Sequence, residues 1–155
     1  MTTHLETAAD ELVLLGSLKR MAMSPTEWAH VLQLWLRPSV VGLEPGHEQR
    51  LFSIAGRRRL LRVVASPDGQ NGSLLIHQDA LLFSTILDRG QHVVHELSEG
   101  RCAWLHIVQG TARCGTVTMG TGDGAGIEAE PGVSLIASEE TEVLLLDLAK
   151  SAFPG

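Results

Sequence analysis

Histidine side chains are the residues of this chain whose type and spacing could support metal chemistry. Three of its seven histidines, His92, His95 and His106, fall close together in the sequence. An open metal site needs three or four ligands that converge on one point, and imidazoles with a carboxylate suit iron and similar divalent metals. Side chains alternate between the two faces of a strand, so His95 shares a face with Leu97 and His92 points to the opposite face. We therefore predict that these three candidate ligands do not converge.

The dipeptide Gln109-Gly110 is typical of a tight hairpin turn between two apolar strands. A hairpin centred there would place Val108 opposite Thr111 and His106 opposite Arg113. An arginine is a poor neighbour for a divalent cation, so this register also argues against a metal at His106.

The two cysteines, Cys102 and Cys114, would lie on opposite faces of the sheet in the same hairpin, where Leu105 faces Cys114. Side chains on opposite faces cannot form a disulfide. Two free thiols are typical of a reducing compartment, and we expect a cytoplasmic protein.

Other catalytic patterns are missing from the sequence. It contains no Gly-x-Ser-x-Gly elbow, and neither cysteine lies in an activating motif. The glycine-rich segment 120–126 resembles a phosphate loop, but residues 127–131 cannot begin a long helix, so we predict a β-turn there.

The charge balance argues against nucleic acid as a partner. The chain has 12 basic and 18 acidic residues, a net charge of −6, whereas nucleic-acid binders carry a basic excess or stripe. The basic cluster of Arg57, Arg58, Arg59 and Arg62 is more typical of a solvated turn. No apolar run reaches the roughly 18 residues that a membrane helix needs, and we expect no membrane association.

Short runs rich in Leu, Val and Ile alternate with Gly and Pro turn signals, which predicts an all-β fold of antiparallel strands. Residues 5–18 fit an amphipathic helix or a strand. The rhythm becomes regular only after about residue 42, so we predict an arm over residues 1–41 and one β-domain over residues 42–150. The predicted strands are 31–36, 60–64, 73–77, 81–87, 92–97, 102–108, 111–119, 133–137 and 142–148.

The order of several segments resembles the pirin family of cupins. The similar segments are 32–38, 42–50, His-Gln-Asp at 77–79, the run from His95 to Gly110, 122–125 and 142–148. The resemblance implies a cupin, a jelly-roll antiparallel β-barrel, here as a single barrel with an N-terminal strand arm. Pirin-like proteins have two such barrels, and some bacterial members are quercetin 2,3-dioxygenases.

The resemblance also implies where a metal would sit. In the family, two histidines on one loop and a His-x-Glu pair of the N-terminal barrel hold iron or another divalent metal. Residues 19–28 occupy that region here and contain neither element, and Glu27 and His30 are out of register on a strand. In the barrel that remains, His95 takes the first of four general cupin ligand positions. The other three positions fall at Leu97, near Ala103, and around Ser134-Leu135.

These substitutions lead to two functional hypotheses. The first is a non-catalytic cupin with a degenerate metal site and no cofactor, which binds a protein partner or a flavonoid-like small molecule. The alternative is a quercetinase-like dioxygenase with Fe or another divalent metal at a relocated site among the three histidines named above. The predicted ligand pocket consists of His95, Leu97, Ala103, Trp104 and Leu105.

The arm predicts a mode of assembly. Its apolar segments 12–15 and 31–36 would be exposed without a first barrel, and exposed apolar strands pair with other chains. We expect a homodimer in which the arm covers or exchanges with its counterpart. The alternative is an arm that folds back over its own barrel.

Overall fold

The computed structural model describes residues 2–6, 17–24, 27–36, 38–39, 41–44 and 47–150, with the backbone alone for those up to residue 31. Apart from two short 3₁₀ turns, Ala55–Arg57 and Gln70–Gly72, the regular elements there are strands. The strands are β1 Thr2–Glu6, β2 Ser17–Ser24, β3 Glu27–Gln33, β4 His47–Leu51, β5 Arg62–Ser66, β6 Leu74–Leu75, β7 Ala80–Leu87, β8 His92–Glu96, β9 Arg101–Gln109, β10 Thr111–Cys114, β11 Val117–Gly120, β12 Gly124–Ile127, β13 Gly132–Ala137 and β14 Thr141–Ala149.

Two sheets face each other across one core. One has six strands in the order β12-β9-β14-β7-β5-β6, and the other has four in the order β11-β10-β13-β8. All pairs in them are antiparallel except β5 with β6. This is a jelly-roll arrangement, and the prediction of an all-β jelly roll is confirmed.

The two remaining sheets are pairs of strands from the first third of the chain. Strand β2 pairs with β3, and β1 pairs with β4. The predicted arm therefore exchanges hydrogen bonds with the first strand of the predicted β-domain, and the division at residue 41 stays a prediction.

The core between the sheets follows from strict alternation along the strands. In β9, Ala103, Leu105 and Ile107 point into the cluster that both sheets enclose, which we call the interior core. Cys102 and Trp104 point to the opposite face. The strand β14 is buried on both faces, because Val143 and Leu145 enter the interior core and Leu144, Leu146 and Leu148 enter a second buried cluster on the other side of the sheet. This explains its unbroken apolar run.

The outer face of the six-stranded sheet carries a second cluster of buried residues, which we call the outer core. Half-buried Leu32, Leu34 and Leu36 pack against this cluster. Residues 32–36 of the predicted arm thus fold back over the six-stranded sheet of the same chain. This corresponds to the alternative prediction, an arm that folds back over its own barrel. The segment 12–15 lies outside the described residues, and the homodimer through the arm stays a prediction.

The predicted hairpin at Gln109-Gly110 is wrong. Strand β9 belongs to the six-stranded sheet and β10 to the four-stranded sheet, so the chain crosses between sheets at Gly110. Gly110 has a φ of 94°, and a Cβ atom there would lie 2.4 Å from the carbonyl oxygen of Glu140. A glycine is needed because the crossing passes directly over the backbone of the neighbouring loop.

The partners predicted from that hairpin change with it. Leu105 lies beside Ala125 and Leu145, and His106 lies beside Gly124 and Leu144, so neither faces β10. Both cysteines are free, as predicted. Burial raises the pKa of each thiol above its ordinary value, which lowers the fraction of the reactive thiolate.

One local prediction also needs correction. The predicted strand 111–119 divides into β10 and β11 at a turn where Gly115 has a φ of 56°. The glycine-rich segment 120–126 contains the predicted β-turn, in which the amide of Asp123 donates to the carbonyl oxygen of Gly120, and it continues into the strand β12. Strands occupy 2–6 and 17–24, whereas the rest of the ambiguous segment 5–18 lies outside the described residues.

Candidate functional site

Among the residues that the structure describes, one histidine and one carboxylate project into the interior core, and they contact each other. The Nε2 atom of His95 lies 2.7 Å from the Oδ2 atom of Asp147. His95 projects inward from β8 of the four-stranded sheet, and Asp147 projects inward from β14 of the six-stranded sheet. This hydrogen bond therefore joins the two sheets at one end of the jelly roll.

Arg101 occupies the other oxygen of the same carboxylate. Its Nε atom lies 2.5 Å from Oδ1 of Asp147, and a second guanidinium nitrogen donates to the Asp147 carbonyl oxygen at 3.0 Å. The remaining terminal nitrogen lies 2.6 Å from Oδ1 of Asp79 at the surface. We call these four residues the Asp147 network.

The Asp147 network keeps its central carboxyl ionised. Burial raises the pKa of Asp147, but the hydrogen bonds from His95 and Arg101 and the charge of the guanidinium outweigh it, so the pKa is lower than usual. Burial lowers the pKa of Arg101, and its bonds to the two aspartates raise it by more. Because the carboxylate is ionised, Nε2 of His95 carries the proton that is donated to it.

The surroundings of His95 are apolar. Its ring packs against Phe83 with 4.7 Å between the ring centroids. A cavity beside it is lined by apolar side chains such as Leu105 and Leu145, together with Thr85. The volume of this cavity is about 10 Å³, room for about one water molecule. A drug-sized ligand needs a pocket of roughly 300 Å³ or more, so a flavonoid does not fit in this cavity.

The histidines of the predicted metal site stay apart. His92 lies on the exposed face of the four-stranded sheet, where its Nε2 atom is 2.9 Å from Oγ of Ser134. His106 lies on β9 with its neighbours Leu105 and Ile107 facing the interior, so it points to the outer face of the other sheet. Within the described part of the chain, no three His, Cys, Asp or Glu side chains are grouped so that they could hold a metal ion.

The five residues of the predicted ligand pocket divide between two faces. His95 and Leu105 line the cavity, and Leu97 and Ala103 are buried in the same interior core. Trp104 packs on the opposite face of its sheet, against the outer core and the glycines of β12. The structure thus brings four of the five together, and ligand binding by them stays a prediction.

Three members of the Asp147 network were missed by reasoning from the sequence. Asp147 is the single charged residue in the apolar run 143–148, and a charge in such a run signals a buried partner. Arg101 and Asp79 carry no comparable signal, because both stand next to turns where charged residues are common.

Three of the four arginines in the cluster form ion pairs within the chain. Arg57 is buried, and its Nη1 atom lies 2.9 Å from Oγ of Ser84 and 2.5 Å from Oε1 of Glu142. The neighbouring Arg58 pairs with Asp88 and Glu140, and Arg59 also pairs with Asp88. The cluster therefore ties the turn at Ala55–Arg57 to β7 and β14. The absence of nucleic acid and membrane partners stays a prediction; no helix among the residues described has the length and apolar character to cross a membrane.

Comparison with known proteins agrees with the jelly roll. Residues 63–148 match the family described as the quercetinase C-terminal cupin domain. Quercetin 2,3-dioxygenase of Escherichia coli K12 is 37% identical over 125 residues, which cover 81% of this chain and 53% of that protein. The pirin-like protein YhaK of the same organism is 30% identical over 155 residues, covering 94% of this chain and 64% of that protein.

Solved structures give the same result. The crystal structure of YhhW from E. coli superposes with a TM-score of 0.75 at 36% identity, covering 81% of this chain and 52% of that one. The nickel(II) complex of this bacterial pirin superposes with a TM-score of 0.75 at 35% identity, covering 82% and 54%. The chain spans about half the length of most curated relatives that it matches. With its strand order and the match over 63–148, the chain belongs to the pirin-like cupins.

Proposed function

We propose that this pirin-like cupin is non-catalytic and acts by binding a partner, without a metal centre in its jelly roll. The observation that carries the proposal is the hydrogen bond between His95 and Asp147. It occupies Nε2 of His95, the imidazole that the described residues place in the interior core, with a carboxylate that Arg101 already neutralises.

The family implies a divalent metal, and the described residues of the jelly roll do not fit one. The general cupin ligand positions beyond His95 fall at Leu97, near Ala103 and around Ser134-Leu135. Leu97, Ala103 and Leu135 are buried apolar residues, and Ser134 is exposed on the outer face of its sheet. A catalytic metal needs about three protein ligands. One imidazole and one ion-paired carboxylate do not supply that number.

The small size of the interior cavity indicates how a partner would be bound. A cavity with room for about one water molecule leaves an organic ligand outside the core. This favours the outer surface, and hence a protein partner, over a flavonoid enclosed between the sheets.

A quercetinase-like dioxygenase that uses Fe or another divalent metal is the second candidate. The 37% identity to a protein named quercetin 2,3-dioxygenase and the nickel(II) complex of YhhW favour it. Because His92, His95 and His106 do not come together, such a metal would need other donors.

Metal analysis of the untagged protein, together with a flavonol-turnover assay on the same sample, separates the two candidates. The E. coli quercetin 2,3-dioxygenase serves as the positive control, and both proteins are also assayed after addition of Ni²⁺ or Fe²⁺. We expect far less than one ion per chain and no turnover. About one ion per chain with turnover would contradict the proposal, and loss of both in His95→Ala would place the metal at His95.

A further inference from the structure

Strand β8 forms one end of the four-stranded sheet. Among the residues that the structure describes, its only strand neighbour is β13. The hydrogen bonds that flank this pair show which backbone groups are already used. The amide of Leu97 donates to Pro131, and the amide of Ala137 donates to the carbonyl oxygen of Gln91, both at 2.9 Å.

Hydrogen-bonded pairs alternate with non-bonded pairs along an antiparallel ladder. Since residues 91 and 97 bond to β13, residues 93 and 95 do so as well. The N–H and C=O groups of His92, Val94 and Glu96 therefore point away from β13, toward the outer edge of the sheet.

The same three residues also have exposed side chains, on the outer face of the sheet. Val94 is 55% exposed, and His92 and Glu96 flank it at equal distances along the strand. The edge contains no lysine, proline or bulge of the kind that protects an edge strand from pairing.

We propose that β8 pairs with β8 of a second copy of this chain, antiparallel, across a two-fold axis at Val94. In this register Val94 faces Val94 of the second copy, and each His92 faces a Glu96. All three pairs are of the hydrogen-bonded kind, so the two four-stranded sheets form one continuous sheet of eight strands.

The outer edge of β8 is complementary to itself, which favours a second copy of this chain as its partner. A two-fold interface places the same patch on both partners, and the order His, Val, Glu at alternate positions matches itself when reversed. Shifting the register by two residues would remove both the apolar pair and the His–Glu pairs. The inference does not rest on the proposed function, since it holds with or without a metal.

The dimer is tested by sedimentation velocity on the full chain at protein concentrations from about 1 µM to 1 mM. A single five-residue edge is a small interface, so we expect a roughly micromolar dissociation constant. Val94→Pro removes an amide hydrogen that only the dimer uses, and we expect it to weaken dimerisation about tenfold or more. Val94→Thr keeps the amide and the branched side chain and is the matched control. If Val94→Pro fails to fold, Val94→Lys tests the same contact at an exposed position.

Charge exchange and crosslinking give independent readouts. Glu96→Lys should weaken the dimer, and combining it with His92→Glu should restore it, because a glutamate then faces a lysine in each pair. In a Cys114→Ser background, Val94→Cys should form a disulfide-linked dimer on oxidation, whereas Thr118→Cys on the far edge strand β11 should not.

Two results would overturn the inference. One is a wild-type protein that remains monomeric over the whole concentration range. The other is a dimer that neither Val94→Pro nor Val94→Lys weakens, which would place the interface elsewhere, with the predicted arm as the next surface to examine.

Discussion

Asp147 and His95 face each other across the interior core, each from the inner face of a different sheet, with 2.7 Å between Oδ2 and Nε2. Arg101 holds the other carboxylate oxygen from the same sheet as Asp147. Both oxygens of the buried Asp147 carboxylate thus have partners, and one of them is Nε2 of the imidazole at the first general cupin ligand position. This relationship gives the jelly roll a polar connection between its sheets.

Replacing Asp147 should destabilise the fold markedly. Asp147→Asn removes the charge that partners Arg101, and we expect the free energy of unfolding to fall by about 2–4 kcal/mol, somewhat less than for a fully enclosed pair. Urea unfolding measures the loss. Asp79→Asn is the matched control, because the Asp79 side chain is 66% exposed and exposed pairs contribute less than about 1 kcal/mol. Equal losses in the two variants would contradict a central role for Asp147.

The lowered pKa of Asp147 predicts an acid-sensitive contribution to stability. The unfolded chain binds a proton at this carboxyl more readily than the folded one, so the contribution is complete above the ordinary aspartate pKa of about 3.9 and is lost as the pH falls through the lower folded value. Urea unfolding from about pH 6 to the lowest pH at which the fold persists should show the wild type converging on Asp147→Asn as the pH falls. A difference that is independent of pH would contradict this assignment.

Trp104 limits what can stand at position 124. A Cβ atom on Gly124 would lie 2.4 Å from the Cζ2 atom of Trp104, so Gly124→Ala must displace the indole. We expect a loss of about 1–3 kcal/mol in unfolding free energy, with a change in tryptophan fluorescence. In Gly126→Ala the new Cβ would be 3.9 Å from the same ring, an ordinary contact, and stability should hardly change. A tolerated Gly124→Ala would show that the indole is free to move.

The crossing at Gly110 should accept no other residue. Gly110→Ala combines a positive φ with a 2.4 Å approach to the Glu140 carbonyl oxygen, whereas Gly90→Ala has a φ of 81° with open space around the new Cβ. Gly90→Ala should lower the free energy of unfolding by about 1–2 kcal/mol, because of its backbone conformation alone. Gly110→Ala should lower it by clearly more, because the backbone of the loop at Glu140 must also move. Thermal unfolding of both variants separates the backbone strain of a positive φ from the steric contact with the Glu140 carbonyl oxygen. Equal losses of stability in the two variants would contradict the crossing geometry.

Period-two alternation was the most dependable guide from the sequence. It predicted that His95 and Leu97 share one face and that His92 lies on the opposite face, and the burial of these residues agrees. Alternation also separates Ala103 and Leu105 from Trp104 on β9, whereas the predicted ligand pocket had grouped all three. Alternation is local geometry of an extended backbone, so a single strand is enough to establish it.

Strand partners were much harder to predict. A glycine with positive φ serves a hairpin and a crossing between sheets equally well, so the sequence around Gly110 could not distinguish the two. Which strand lies next to β9 depends on contacts between distant segments, and β12 and β14 both follow it in the chain.

The sequence by itself determined the all-β class, which residues share a face of a strand, the resemblance to pirin-like cupins and the separation of its three candidate histidines. Each of these depends on composition, on alternation within one strand or on the order of segments along the chain. Only the tertiary structure decided that Asp147 binds His95, since these residues are 52 positions apart and meet because two sheets pack face to face. It likewise decided which backbone groups of β8 point to its outer edge, because that depends on the register with β13.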